Sequence, residues 1–249
     1  MTAIVFSIEE FSAFDGAGLR TSVFFKGCPL RCEWCHNPEG QRFGKEYVKA
    51  KNGCIGCGAC LKAAVRANGR TEYTKKSVAA CPKGLIRVCG ADYTPARLAE
   101  KLNKNAEILS GGGITFSGGE PLCHADFIAA FRAVCPAGWR LYAETSLHVP
   151  AEQVRIAACC IDHFFVDIKD MNPAVYRAYT GQVMMPVREN LALLLSLVGA
   201  DRVTVRVPLI PGFNSEEDRR VSCLALRRMG VRLLDCFTYR PSAPPTDPQ

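Results

Sequence analysis

Along the chain, short runs rich in β-branched and aromatic residues alternate with longer stretches in which apolar residues recur every three or four positions. The first pattern fits a strand and the second an amphipathic helix. Six runs read as strands, over residues 19–25, 113–117, 139–145, 163–169, 202–210 and 231–237. Helices are expected over 94–109, 124–134, 149–158, 187–197 and 215–229. Two of them carry start signals. Thr94-Pro95 offers an N-cap followed by proline in the first turn, and Ser215 precedes the acids Glu216, Glu217 and Asp218, which complement the helix dipole.

Strands separated by helices build parallel β/α units. Six units fall short of an eight-fold barrel, so the expected fold is α/β, a partial (β/α)6 TIM-like barrel with its chemistry at the carboxyl ends of the strands. Between residues 48 and 91 glycine, cysteine and basic residues replace the periodic pattern. That segment reads as a small inserted domain, leaving 1–47 and 92–240 for the barrel. The final RPSAPPTDPQ holds four prolines in ten residues, and 241–249 is expected to be disordered.

The 249 residues are 48% hydrophobic, ample for a core. The first twenty contain no uninterrupted apolar run of secretory or membrane-spanning length, so no membrane association is expected and the cytoplasm is the expected compartment. The net charge of +7 is concentrated: from Val48 to Ala91 nine Lys/Arg face one acid, Glu72. Such a segment suits an acidic protein partner. It lacks the interleaved aromatics of a stacking surface, so nucleic acid is not expected.

Fourteen cysteines in a long chain of this kind point to metal binding, because half of them fall in tight spacings. Cys123, Cys135, Cys159, Cys160, Cys223 and Cys236 stand apart and read as small buried hydrophobes. The run KGCPLRCEWCHNPEG (26–40) sets Cys28, Cys32 and Cys35 on one loop after the first predicted strand, with no fourth cysteine. A structural zinc would normally be closed by four ligands, and His36 adjoins Cys35 too closely to serve beside it. Three thiolates on a four-iron cluster leave one iron open. After the next strand, Ser117, Gly118, Gly119, Glu120 and Pro121 form a loop whose glycines allow close backbone approach and whose carboxylate could pair with an ammonium; by itself a tight turn explains it equally well.

Together, the cysteine triad and the Gly-Gly-Glu loop resemble the signature of the radical S-adenosylmethionine superfamily. Four segments narrow the resemblance to activating enzymes of glycyl-radical enzymes, of which pyruvate formate-lyase activase is the type: FDGAGLRTSVFFKGCPLRCEWCHNPE (14–39), ETS (144–146), DIKDMNPAVYRAYTG (167–181) and VRVPLIPGFN (205–214). The resemblance implies a 4Fe-4S cluster on Cys28, Cys32 and Cys35, whose open iron takes the amino and carboxylate groups of S-adenosyl-L-methionine. Gly118, Gly119 and Glu120 would hold the methionine amino group; Asp167, Ile168 and Lys169 would lie against the cofactor. Glu144, Thr145 and Arg206 would complete the polar lining, with Trp34 and His36 as walls. The implied reaction is reductive cleavage to a 5′-deoxyadenosyl radical, which takes hydrogen from a backbone glycine of a partner glycyl-radical enzyme. Where the family has a histidine after the last strand, this chain has Arg240.

In the insert, Cys54, Cys57 and Cys60 followed by Cys81-Pro82 resemble bacterial ferredoxin sequence. Ala63 and Ala64 stand where a second cluster would need a Cys-Pro element, so the ligands suffice for one auxiliary 4Fe-4S cluster, on Cys54, Cys57, Cys60 and Cys81, with Cys89 as the alternative fourth ligand. Four thiolates suit electron transfer, and the basic segment suits an acidic flavodoxin or ferredoxin as donor. Two other readings stay open: a radical enzyme acting on a small molecule, and a ferredoxin-like carrier with no reaction of its own.

Overall fold

The computed structural model describes residues 1–240 apart from 14, 51, 68, 69, 106, 108 and 110. Phe14 of the opening motif, Lys51 of the basic segment and the proline-rich 241–249 therefore lie outside the described residues. The chain runs β1 (Ala3–Ser12), β2 (Arg20–Phe25), β3 (Glu46–Lys49), α1 (Ala59–Lys62), β4 (Val65–Ala67), β5 (Arg70–Glu72), α2 (Lys75–Ala80), β6 (Ile86–Cys89) and β7 (Ala91–Tyr93). It continues through α3 (Pro95–Asn103), β8 (Gly113–Gly118), α4 (Ala125–Arg132), β9 (Arg140–Thr145), α5 (Ala151–Ala158), β10 (His163–Asp167), α6 (Pro173–Thr180), α7 (Met185–Val198), β11 (Val203–Leu209), α8 (Glu216–Arg228) and β12 (Leu233–Thr238).

One eight-stranded sheet has the order β12-β11-β10-β9-β8-β2-β1-β7. From β2 to β12 neighbouring strands are parallel and follow sequence order, each joined to the next by helix. This is the mostly parallel α/β arrangement that the alternating pattern requires. The strands nearest the centre are buried almost throughout, as in β2 (RTSVFF) and β8 (GITFSG), because both faces are covered. The predicted helix starts hold: Thr94 Oγ1 accepts from Arg97 N with Pro95 in the first turn, and Ser215 forms a reciprocal capping box with Asp218.

Three elements of the main body were not among the expectations. Strand β1 pairs antiparallel with β2, and β7 pairs antiparallel with β1. Their signals were weak: β1 is only buried near its start and carries Glu9 and Glu10 toward its exposed end. Helix α6 had clearer punctuation, with Asn172 as a side-chain cap, Pro173 in the first turn and Gly181 at φ 71° beyond the last. The expected strand over 163–169 is also shorter than predicted, ending at Asp167 and leaving Ile168 and Lys169 on the following loop.

Residues 46–89 run β3-α1-β4-β5-α2-β6, with β3 paired antiparallel to β6 and β4 to β5. By residue 91 the chain is back in the main sheet through β7. Among the described residues no helix is long and apolar enough to cross a membrane.

Under the parallel strands the core is aromatic near its centre. Phe116 is fully buried, stacked on Phe25 at 5.7 Å and edge-on to Phe131 at 5.5 Å. Replacing Phe116 with alanine is expected to lower the unfolding free energy by about 3–5 kcal/mol, read from denaturant midpoints at constant slope. A loss below about 1 kcal/mol would mean that this ring is not part of the load on β8.

Candidate active site

The loop after β2 carries Cys28, Cys32 and Cys35, and its path is set by hydrogen bonds to two neighbours. On one side Arg31 N donates to Thr180 O (2.9 Å) and Glu33 N to Tyr179 O (3.0 Å), so the C-terminal turn of α6 holds the loop between the cysteines. On the other, Gly27 N donates to Gly40 O (2.7 Å) and Cys28 N to Gln41 O (3.2 Å), closing the loop on itself. Its root is pinned by Lys26, a fully buried ammonium 2.5 Å from Glu46 Oε1 on β3. All three cysteines line one cavity of about 410 Å³ at the carboxyl ends of the parallel strands. That is room for a cofactor-sized ligand.

The Gly-Gly-Glu segment meets this loop backbone to backbone. Gly119 N donates to Phe25 O and Glu120 N to Gly27 O, both at 2.8 Å. Gly118 has φ +109°, and a Cβ there would stand 2.4 Å from Phe25 N; one on Gly119 would stand 2.4 Å from Gly27 O. Only glycine fits either place. Gly118 and Gly119 line the cavity, but the Glu120 carboxylate does not. It is fully buried behind the wall, accepting from Leu122 N (3.1 Å), Thr145 Oγ1 (2.6 Å), Ser146 N (2.8 Å) and Ser146 Oγ (2.6 Å). Burial pushes its pKa up, and these four donors oppose the shift. Glu120 thus ties the loop after β8 to the end of β9.

Parallel register lines up the polar wall. Asp167 on β10 is opposite Arg206 on β11, which is opposite Asp235 on β12. Arg206 passes over the Phe165 ring, 4.4 Å from its centroid, and Nη1 donates to Glu144 Oε1 at 2.6 Å; Nε lies 3.7 Å from Asp235 Oδ2. Ser117 Oγ donates to the other oxygen of Glu144 at 2.7 Å. Burial pushes Glu144 up, with Arg206 opposing. Lys169 Nζ donates to Asp167 Oδ2 at 3.2 Å; burial works against this ammonium, but Asp167 and Cys32 together hold the pKa above the ordinary lysine value. Thr145 also lines the cavity. Ile168 does not: its side chain is fully buried in the core, and its N donates to Arg206 O (3.0 Å).

An aromatic wall closes the remaining side. His36 stacks on Tyr239 at 4.4 Å and 15°, Trp34 stacks on Tyr239 at 6.2 Å, and Phe213 meets Trp34 edge-on at 5.7 Å. Tyr179 and Tyr239 both donate their hydroxyls to Trp34 O. Arg240 contributes its backbone oxygen, 3.3 Å from His36 Nε2, while its side chain is exposed and outside the cavity lining. The sequence reading missed Ser117, Ser146, Tyr179, Asp235, Phe237 and Tyr239 as lining residues. Asp235 had a signal, an acid inside the apolar run VRLLDCF; the aromatic residues look like ordinary core.

The arrangement fits an iron–sulfur cluster with an open iron. Three thiols on one loop open into one cavity, which suits a cluster that leaves one iron free. Burial pushes the thiol of Cys32 up to about 11, with Lys169 opposing.

In the insert, Cys54 and Cys57 are exposed, Cys81 is half-buried and Cys60 is buried. Gly56 N donates to Cys54 Sγ and Leu85 N to Cys81 Sγ, both at 3.4 Å, and these bonds pull both thiol pKa values down, aided at Cys54 by Lys49. Cys81 is near enough to Cys54 to feel its charge. Cys89, also buried, has Lys26, Glu46, Glu39 and Arg87 as its charged neighbours.

A model of the Radical SAM superfamily matches residues 22–221. The indoleacetate decarboxylase activating enzyme of Tractidigestivibacter scatoligenes is 30% identical over 242 residues, spanning 88% of this chain and 76% of that protein. The choline trimethylamine-lyase activating enzyme of Oleidesulfovibrio alaskensis is 34% identical, spanning 87% and 75%. Among solved structures, Streptococcus suis SuiB bound to S-adenosylmethionine is similar in fold, with a TM-score of 0.50 over 63% of this chain and 36% of SuiB at 11% identity. The chain belongs to the radical SAM superfamily and, within it, to the activating enzymes of glycyl-radical enzymes.

Proposed function

We propose that this chain cleaves S-adenosyl-L-methionine reductively and that the 5′-deoxyadenosyl radical so formed takes a hydrogen atom from a backbone glycine of a partner glycyl-radical enzyme. The observation that carries the reading is the set of three thiols, Cys28, Cys32 and Cys35, opening into one cavity with a polar wall, in a chain whose relatives are activating enzymes. When bound, a 4Fe-4S cluster supplies the electron that breaks the sulfonium carbon–sulfur bond and an open iron for the methionine amino and carboxylate groups.

The protein's own part is orientation and exclusion. The six parallel strands, in sequence order, form a partial (β/α)6 barrel whose carboxyl ends face the cofactor. Lys169 offers its ammonium to the methionine carboxylate while Asp167 keeps it charged. Gly118 and Gly119 bring backbone close to the cofactor without a side chain in the way. Glu144 and Arg206, already paired, offer oxygen and nitrogen atoms to the ribose or adenine side, and Trp34 and His36 flank the opening with flat apolar surface. No general acid or base is required, since a hydrogen atom is transferred rather than a proton.

For the insert we infer a ferredoxin-like unit with one auxiliary 4Fe-4S cluster on Cys54, Cys57, Cys60 and Cys81. Supporting this are the electrostatic proximity of Cys54 and Cys81 and the backbone N–H groups directed at their sulfurs. Exposed Lys75 and Lys76 at the start of α2 belong to the basic segment that would receive an acidic flavodoxin or ferredoxin. This chemistry suits a reducing, cytoplasmic setting.

Three outcomes are expected. Anaerobically reconstituted protein with S-adenosylmethionine and a strong reductant releases 5′-deoxyadenosine and, with its partner, produces a glycine-centred radical signal; Cys28→Ala lowers release by at least about a hundredfold, on the order of the loss of one essential group. Deoxyadenosine release with no radical in any glycyl-radical partner would favour a small-molecule substrate. Iron analysis should find about eight irons per chain, falling by about four in Cys81→Ser and unchanged in Cys89→Ser; the reverse would make Cys89 the ligand. Finally, cluster reduction by an acidic donor should slow as salt rises, and the Lys75→Glu/Lys76→Glu variant should flatten that dependence; a rate indifferent to both removes the docking role.

A further inference from the structure

Among the seven cysteines outside the two ligand sets, two meet. Cys223 on α8 and Cys236 on β12 bring their Sγ atoms to 3.5 Å, although both were expected to be isolated buried hydrophobes. Cys236 is exposed and Cys223 half-buried. By contrast Cys135, Cys159 and Cys160 donate only to carbonyls of their own helical turns. Alternation along β12 explains the meeting: Asp235 and Phe237 turn toward the cavity, so Cys236 between them turns to the opposite face, where α8 lies over β11 and its neighbour.

We propose that Cys223 and Cys236 form a redox-active dithiol that closes to a disulfide by exchange with a low-molecular-weight disulfide of the glutathione class. The exposed Cys236 thiolate attacks one sulfur of the small disulfide, forming a mixed disulfide and releasing one small thiolate. The Cys223 thiolate then attacks Cys236 Sγ, forming the internal bond and releasing the second small thiol. Two protein thiols are oxidised and one small disulfide is reduced to two thiols, so electrons and protons balance without another oxidant.

The order of events follows from exposure. Cys236 is the reachable sulfur, while burial and the hydrogen bond with Cys236 push the Cys223 thiol up to about 11, with Arg219 and Arg227 opposing. An exposed thiol beside a resolving thiol is the arrangement of reversible thiol oxidation in reducing compartments. Bringing the sulfurs from 3.5 Å to a bond of about 2.0 Å needs a small shift, and β12 can give it because among the described residues it pairs with β11 alone, at the edge of the sheet. The same strand carries Asp235 and Phe237 into the cavity, so the link would fasten one wall of the active site to α8.

The test uses cluster-loaded protein, incubated anaerobically with oxidised glutathione, quenched by alkylation and mapped by protease digestion and mass spectrometry. The expected product is a Cys223–Cys236 linked peptide, reversed by a dithiol reductant. Cys223→Ser should instead accumulate glutathione on Cys236, and Cys236→Ser should give neither the link nor an adduct at Cys223. The proposal is overturned if the wild-type protein forms no such link at a glutathione disulfide concentration that modifies exposed Cys159, or if wild type and Cys223→Ser retain equal glutathione on Cys236.

Discussion

Two backbone hydrogen bonds join the halves of the active site, Gly119 N to Phe25 O and Glu120 N to Gly27 O. They bring the loop after β2 and the loop after β8 so close that a single added carbon at Gly118 or Gly119 would run into main-chain atoms. The close approach cannot be relieved by a rotamer change, because the opposing atoms are backbone. The position of the cysteine loop relative to the polar wall therefore depends on glycine at these two residues. Glu120 locks the same seam from behind, spending its carboxylate on Thr145, Ser146 and Leu122. A buried, four-fold hydrogen-bonded carboxylate is stiff, and stiffness is what a site needs when its reaction tolerates little misplacement.

The polar wall is a consequence of strand register rather than of any single residue. Because β10, β11 and β12 are parallel neighbours, Asp167, Arg206 and Asp235 fall in one row, acid-base-acid. Glu144 adds a third acid from β9, and Lys169 a second base from the loop beyond β10. Each charge has an opposite neighbour before any ligand enters, which limits the cost of keeping them half-buried. A bound zwitterionic cofactor would then exchange partners with charges that are already in place, instead of ordering free side chains.

Much of this was legible beforehand, for physical reasons that differ by element. The central strands β2 and β8 announce themselves because burial on both faces demands continuous apolar runs, and α3 and α8 because their caps are written in side chains. Strand β1 hid because an edge position leaves its second half polar, and the small strands β3 to β6 because three- or four-residue pairs carry too few residues to reveal a period. Cys28, Cys32 and Cys35 were readable from spacing alone. The roles of Glu120 and Ile168 were not, since whether a side chain at a strand end faces the cavity or the core depends on the turn that follows. Nor could spacing bring Cys223 and Cys236 together, as their contact depends on α8 returning over the edge of the sheet.

Residues 46–89 are not merely appended to this frame. Lys26, two residues before Cys28, is wholly buried and sits on Glu46 of β3, and Glu39 of the cysteine loop supplies its carbonyl to the same ammonium at 2.5 Å. Glu46 also meets Arg42 at 3.4 Å, and Arg42 meets Glu72 on β5 at 2.6 Å. The outer members of this chain are partly exposed and individually weak, but its inner member is a buried charge that would be left uncompensated if β3 moved away. The same lysine that roots the three-cysteine loop thereby anchors the first strand of the four-cysteine segment. If electrons enter through that segment, the distance they travel is held by an ion pair at the base of both.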